Sequence, residues 1–318
     1  MVAIERIVMV TRKTALEELV YRMNSSEQAR FYLEQNQISF TEYEQSDAQY
    51  QRAVDYVKQQ LPTNIKQHVI DRDFLPTYQF SEHDLIVTVG PDGLVINTAK
   101  YLTEQPILAV NPDPRRIDGI LIPFHYEQVR KIVEQVIHGD SKIRLRRVSM
   151  VKATLNDGQM LYGINDLFIG QRTHTSARYQ LQLGRQREAQ ISSGIIVSTG
   201  AGSTGWLRSI TQGAWAISRS LNKSSEHSEQ TTPEAMSKDW ESETLCYTVR
   251  EPFVSKISKA SIVFGQLQRG QELIITSQMP ENGVIFSDGI ENDYLAFHSG
   301  LIARVGLAER KAHILTNR

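Results

Sequence analysis

Three short segments combine small residues, hydroxyls and carboxylates at spacings suited to phosphate and ribose chemistry. The first is Gly90-Pro91-Asp92-Gly93, which follows the apolar run 85–89 and precedes a helical pattern. In an open parallel sheet, ligands bind beyond the carboxyl ends of the strands, where this loop would sit. Its two glycines let backbone approach a phosphate, and a helix N-terminus favours anions by roughly 0.3–1 kcal/mol. Asp92 is placed to accept a proton from an attacking hydroxyl. The same tetrapeptide is also an ordinary turn, with Pro and Asp in favoured positions, and by itself it reads as one.

The second segment, Ser198-Thr199-Gly200-Ala201-Gly202-Ser203-Thr204-Gly205-Trp206, lies between a strand at 195–197 and a helix. Gly200, Gly202 and Gly205 satisfy the G-x-G-x-x-G pattern. A dehydrogenase reading fails, because the helix leads into a polar stretch and not into a second buried parallel strand with an acidic end. No Lys precedes the Ser/Thr, so it is not a Walker A loop. What remains is a hydroxyl-rich loop at a helix N-terminus, suited to phosphate, ribose or amide groups. Trp206 is as well placed to pack between domains as to stack on a base or nicotinamide. The third segment, 163–170, puts Asn165-Asp166 inside a strand-like apolar run where both are poor strand formers. Such a violation often marks a site, but by itself the segment reads first as a bulge or bend with a satisfied Asn.

Around these segments the chain alternates strand and helix patterns as far as about residue 140. An apolar run at 7–11 precedes Leu16, Leu19, Val20 and Met23 at helical spacing. Ser25 with Gln28 reads as a capping box for a helix through Ala29, Phe31 and Tyr32. Asp47 reads as the cap of another, with Tyr50, Val54, Val57 and Leu61 buried. Strands at 85–89 and 107–110 flank a helix carrying Leu94, Val95, Thr98, Ala99 and Leu102, and 126–137 makes one more amphipathic helix. This pattern predicts an α/β fold with a Rossmann-like parallel sheet covered on both faces. From about residue 143 the period falls to two, at 148–155, 178–183, 245–249, 273–276 and 284–286. An all-β, sandwich-like domain is expected there, interrupted by a helix with Leu207, Ile210, Ala214 and Ile217 on one face. The expected organisation is a nucleotide domain over 1–140, a β-rich domain over 141–295 with a polar mobile loop at 220–243, and a segment 296–318 returning to the first domain.

Composition narrows the function classes. A net charge of −1 argues against a general polyanion binder, and the basic run 142–147 reads as a solvated strand edge. Cys246 is the one cysteine, so no intrachain disulfide forms, and an inert core residue is expected there. The histidines show no metal-ligand spacing, and no structural metal is expected. No apolar stretch approaches the roughly 20 residues of a membrane span. The start leads straight into a strand without an apolar signal core, so a cytoplasmic protein is expected.

Taken together, in this order and spacing, the segments from about Leu85 onward resemble the NAD kinase family. That family carries a strand followed by Gly-Gly-Asp-Gly, then an Asn-Glu pair, then an Asp-Gly strand entering a Thr/Pro/Gly/Ser-rich loop with an aromatic residue. The resemblance is greatest to its mitochondrial-type branch. There the corresponding strand begins as Ser192-Ser193-Gly194 does here, and the loop reads Thr-Gly-x-Gly-Ser and ends in Trp. Arg250-Glu251-Pro252 follows, Asn111-Pro112-Asp113-Pro114 resembles a Val-Asn-x-Asp-Pro segment, and Phe286-Ser287-Asp288-Gly289 a late Asp-Gly turn.

The resemblance implies a two-domain, NAD kinase-like fold and transfer of the terminal phosphoryl group of ATP to the 2′-hydroxyl of the adenosine ribose of NAD. Mg²⁺ would bridge the phosphates largely through water. Asp92 would be the catalytic residue, and Gly90 and Gly93 would hold ATP phosphates. Asn111, Asn165, Asp166, Ser193, Thr199, Ser203, Thr204, Gly205, Trp206 and Asp288 would serve the nucleotide sites, Asp166 replacing the more usual Glu. A homodimer or higher homo-oligomer acting on small-molecule nucleotides, with no nucleic-acid or membrane partner, completes the expectation.

Two departures bear on the donor. Pro91 stands where the family has its second Gly, and Leu94 where it has Thr. Proline lacks a backbone N–H, so a charge-assisted bond of roughly 1.5–3 kcal/mol is missing if that amide meets a phosphate. Altered ATP handling is therefore expected: weaker affinity, another phosphoryl donor, or no kinase activity. Retention of Asp92 favours an active enzyme. Two other readings stay open. Diacylglycerol and sphingosine kinases share the Gly-Gly-Asp-Gly element, so a lipid or sugar hydroxyl is one alternative acceptor. A non-catalytic dinucleotide-binding protein is the other.

Overall fold

Residues 3–221 and 239–317 are described by the computed structural model, in which the chain divides into two units, Met1–Arg146 with His313–Arg318, and Arg147–Ala312. The first unit runs β1 (Arg6–Thr11), α1 (Ala15–Met23), α2 (Ser26–Gln35), α3 (Phe40–Gln60) and β2 (Lys66–Asp71). It continues through β3 (Asp84–Val89), α4 (Asp92–Ala99), β4 (Pro106–Asn111), β5 (Phe124–His125) and α5 (Val129–Ile137). Strands β2, β1, β3 and β4 pair in parallel in that order. β3 is buried at every position, as expected of a central parallel strand covered on both faces. Ile7, Met9, Leu85, Val87 and Leu108 pack with Val57 of α3 and with Val129 and Val133 of α5. A bidentate pair from Arg6 Nε and Nη2 to Asp84, at 2.7 and 2.6 Å, pins the start of β1 to the start of β3.

Two local expectations are corrected, the capping role of Asp47 and the place of Leu102 within a helix. Asp47 does not cap a helix: α3 starts seven residues earlier, capped by Ser39, whose hydroxyl accepts from the N–H of Glu42 at 3.3 Å. The polar residues 41–46 continue the helix, and Asp47 instead accepts a 2.6 Å bond from the hydroxyl of Thr14. Thr14 and Glu17 form the reciprocal capping box of α1. α2 buries Ala29 and Leu33, an i, i+4 pair, which turns Phe31 and Tyr32 outward. β2 carries almost no apolar pattern, because it is a sheet edge specified by its pairing with β1. α4 ends at Ala99, and Leu102 is buried just beyond it.

The second unit takes up β6 (Ile143–Leu155) and continues with β7 (Met160–Gly163), β8 (Asp166–Gln171), β9 (Ala177–Leu183), β10 (Gln186–Ser192), β11 (Ile195–Ser198) and α6 (Trp206–Leu221). After it come β12 (Thr244–Val249), β13 (Phe264–Gln268), β14 (Glu272–Ser277), β15 (Gly283–Ser287), β16 (Ile290–Ala296) and β17 (Ile302–Asn317). One sheet is antiparallel in the order β13-β12-β11-β8-β15-β16. Facing it, β10, β9, β14 and the start of β17 pair antiparallel. Alternate side chains of both layers, among them Leu167, Ile169, Leu181, Ile195, Val197, Leu273, Ile275 and Val305, share one core. The other face of the first layer carries Phe168, Ile196, Val284 and Phe286, against which Trp206 and Ile210 of α6 pack. The end of β17 pairs in parallel with β4, His313 opposite Pro106, within the first unit.

Of the stretch expected as a polar loop at 220–243, residues 222–238 lie outside the described residues. Ser220 and Leu221 close α6, and the N–H of Ser149 donates to the carbonyl of Trp240 at 2.8 Å. Among the described residues, no helix is long and apolar enough to cross a membrane.

Candidate functional site

The loop after β3 places Asp92 at the first position of α4, behind Pro91 as the N-cap residue. Its carboxylate accepts hydrogen bonds from the backbone N–H groups of Ile120 and Leu121, each at 3.0 Å. A carboxylate offers about four lone-pair positions, so two anchoring bonds fix its orientation and leave acceptor capacity. Gly90 is constrained by packing: a Cβ there would meet Cδ2 of the buried Leu94 at 2.8 Å. Asn111 is buried and closes its own loop, accepting from the N–H of Asp113 at 3.0 Å and donating to the carbonyl of Ile117 at 2.8 Å.

In the second unit, three segments distant in sequence are laced together. Asp288 sits between β15 and β16 with φ 57°, a left-handed conformation that Asp tolerates better than most residues. Its carboxylate accepts from the N–H groups of Ile164, Asn165 and Asp166 at 3.1, 2.7 and 3.2 Å. Its own N–H donates to the carbonyl of Asp166 at 3.0 Å. The Asn-Asp pair is thus a bend whose three consecutive amides are capped by one carboxylate, with Asp166 opening β8.

The hydroxyl-rich loop attaches to the same bend. The N–H of Thr199 donates to the carbonyl of Asn165 at 2.9 Å, and its hydroxyl donates to the carbonyl of Ile164. That hydroxyl also accepts from the N–H of Gly202 at 3.2 Å. A Cβ at Gly202 would meet the carbonyl oxygen of Asn165 at 2.0 Å, so only glycine allows this approach. Ser203 is buried and donates to the carbonyl of Gly200 at 2.7 Å, while Thr204 and Gly205 are exposed. Asn165, Asp166, Thr199, Ser203 and Asp288 therefore fall in one cluster.

Ser193 and Trp206 fall in a second feature, a cavity of about 430 Å³ within the same unit. Its floor is an aromatic stack: Trp206 lies over Phe168 at 5.8 Å between centroids, and Phe168 over Phe286 at 4.8 Å. Two cations flank it, the guanidinium of Arg250 lying 5.4 Å from the Trp206 ring and that of Arg172 4.9 Å from the Tyr294 ring. Gln171 contributes a buried Oε1 with no hydrogen-bond partner among the described residues, an acceptor left for an incoming donor. Aromatic faces, guanidinium groups and one orphaned acceptor suit a ligand with a planar ring, an amide and phosphates. Sequence reasoning does not single out Arg172, Gln171 or Tyr294. The abrupt run Arg172-Thr173-His174-Thr175 after an apolar strand is the signal that could have marked the first.

Comparison with known proteins points in one direction. The NAD kinase of Prosthecochloris aestuarii is 27% identical over 126 residues, 39% of this chain and 43% of that protein. That of Geobacter sp. is 26% identical over 164 residues, 48% of this chain and 54% of that protein. The matched part thus spans about half the length of these relatives or less. No family model matches. Among solved structures, yeast NADH kinase complexed with NADH aligns with a TM-score of 0.56 and 14% identity, over 98% of this chain and 84% of that one. An NAD kinase from Archaeoglobus fulgidus in complex with ATP aligns with a TM-score of 0.55 and 14% identity, over 98% and 94%. The fold, a parallel-sheet unit and an antiparallel β unit, is that of these kinases.

Proposed function

We propose that this chain is a phosphotransferase of the NAD kinase type, which phosphorylates the 2′-hydroxyl of the adenosine ribose of NAD with ATP as donor. The observation that carries the reading is the cluster in which Asp288, the Asn165-Asp166 bend and the loop at Thr199 hold one another. The Asn-Asp pair, the hydroxyl-rich loop and the late Asp-Gly turn carry the resemblance to NAD kinases in combination, and here they bond to one another. The relatives' names and the shared fold support it.

In the proposed reaction the ribose 2′-oxygen attacks the terminal phosphorus of ATP. A new O–P bond forms, the bond to the bridging oxygen breaks, and ADP leaves with that electron pair. The hydroxyl proton passes to Asp92, whose carboxylate is held by the Ile120 and Leu121 amides. A carboxylate is a weak base, so positioning and charge neutralisation supply most of the barrier lowering. Among the described residues no group of three or more acidic, His or Cys side chains is gathered to hold a metal ion. Mg²⁺, which dehydrates reluctantly, would sit on the donor phosphates with much of its water and neutralise charge there. NAD, with its carboxamide and pyrophosphate, fits the chemistry of Gln171, Arg172 and Arg250.

Pro91 favours one other reading, a dinucleotide-binding protein without turnover. Incubation with ATP, Mg²⁺ and NAD, followed by phosphorus NMR of the product, separates the two. A new 2′-phosphomonoester supports the kinase, whereas bound but unchanged NAD supports the binding protein. The same readout with a lipid or sugar acceptor tests whether another hydroxyl is used.

A further inference from the structure

The proline that removes an amide from the donor loop also forms part of a cavity wall. This cavity, about 150 Å³, is lined by Arg12, Tyr50, Pro91, Asp113, Arg116 and Ile117. Arg12 immediately follows β1, Pro91 follows β3, and Arg116 lies in the loop after β4. Three adjacent parallel strands thus deliver their C-terminal loops to one small space, which is where an open α/β sheet takes its ligands. The volume is below the roughly 300–1,000 Å³ of a pocket that buries a whole small molecule. It suits the end of a ligand, not a complete nucleotide. A neighbouring cavity of about 250 Å³ shares Thr14, Ala15, Ser46 and Arg116 and extends the space.

Both guanidinium groups are only lightly committed. Nε of Arg12 donates to the carbonyl of Lys13 at 2.9 Å, and among the described residues no carboxylate pairs with it. Arg116 has Asp113 at 3.5 Å and Gln45 at 3.3 Å, and nearly half of its side chain is exposed. The exit of β1 is fixed by Tyr50. Its hydroxyl donates to the carbonyl of Val89 at 3.0 Å and accepts from the N–H of Arg12 at 2.9 Å. Burial pushes the phenol up to about 12, so this tie persists at neutral pH.

We propose that Arg12 and Arg116 grip the phosphate tail of the donor, supplying from side chains the contact that Pro91 cannot make through its backbone. This rests on the phosphotransferase reading. Guanidinium groups suit the role, since their planar forks match phosphate oxygens and carry full charge. The loop then exchanges a short neutral amide donor for two long cations, and donor affinity becomes sensitive to salt.

The test uses the full chain and two probes, inorganic tripolyphosphate and Mg·ATP, titrated calorimetrically, with NADP formation measured in parallel. Arg12→Gln and Arg116→Gln should each weaken both probes by about tenfold or more, the loss of a charge-assisted contact. KM for ATP should rise while kcat and KM for NAD stay within a few-fold, and the melting temperature should be unchanged. Arg12→Lys should lose less than Arg12→Gln. Pro91→Gly should recover part of the Arg12→Gln loss, which a merely structural arginine would not allow. Folded Gln variants that bind tripolyphosphate as tightly as the parent overturn the inference. A parent that binds tripolyphosphate through these arginines yet makes no NADP overturns the kinase reading instead, so the two failures are distinct.

Discussion

Asp288 accepts a hydrogen bond from the backbone N–H of Asn165 at 2.7 Å, across a sequence separation of 123 residues. Two neighbouring amides share the same carboxylate, so one side chain fixes the bend that also receives the Thr199 loop. Asp288→Ala should cost about 2–3 kcal/mol, since buried donors lose their acceptor and a non-glycine residue is left in the left-handed region. Asp288→Asn should cost less, because Asn tolerates that conformation and keeps one acceptor oxygen. Urea unfolding and NAD titration on both variants check this. Equal stability for Ala and Asn would remove the anchoring role.

Glycine at 202 is required by a close approach, not by its φ. Gly202→Ala places a methyl group 2.0 Å from the carbonyl oxygen of Asn165, so the loop must move. NAD affinity should fall by tenfold or more, with a loss of stability of about 1–3 kcal/mol from the overpacked contact. Gly213, inside α6, is the control, because a methyl group added there would meet nothing within 4 Å. Gly213→Ala should stabilise by about 0.5–1 kcal/mol and leave NAD binding unchanged. Calorimetric melts and NAD titrations of the pair provide the comparison.

The second unit also carries an acid-sensitive support. Burial by itself would raise Glu188, but N–H groups of Ile262 and Ser261 at 2.8 and 2.9 Å and the Gln190 amide outweigh it, and the carboxyl is held below its ordinary 4.5. Because the folded value is the lower one, the stabilisation is fully present above about pH 4.5 and is lost as pH falls through the folded value. Urea midpoints should therefore fall with acidification more steeply in the parent than in Glu188→Gln. Parallel slopes over that interval would contradict the assignment.

Much of this was legible in the sequence because the informative segments break local rules. Asn-Asp at the head of an apolar strand, and a run of glycines and hydroxyls before a helix, have no simple packing purpose, and both belong to the Asp288 cluster. Continuous apolar runs marked β3 and β4, since central parallel strands must be apolar on both faces. Less legible features depend on partners remote in the chain. β2 has a polar sequence and exists through its register with β1. Asp47 has the residue type of a cap, yet its partner, Thr14, lies 33 residues away. The Arg172 and Tyr294 pairing is likewise set by strand order, which no window of sequence contains.

The central claim is that the anchored carboxylate of Asp92 takes the proton of a ribose hydroxyl during phosphoryl transfer. The most direct measurement is the rate of NADP formation from Mg·ATP and NAD by the parent and by Asp92→Asn, with folding checked by thermal melt. The account predicts steady NADP production by the parent and a loss of about 10²–10⁴-fold in kcat for the variant, with NAD binding retained. NADP formation by the folded variant at the parental rate, or none by the parent, would contradict it.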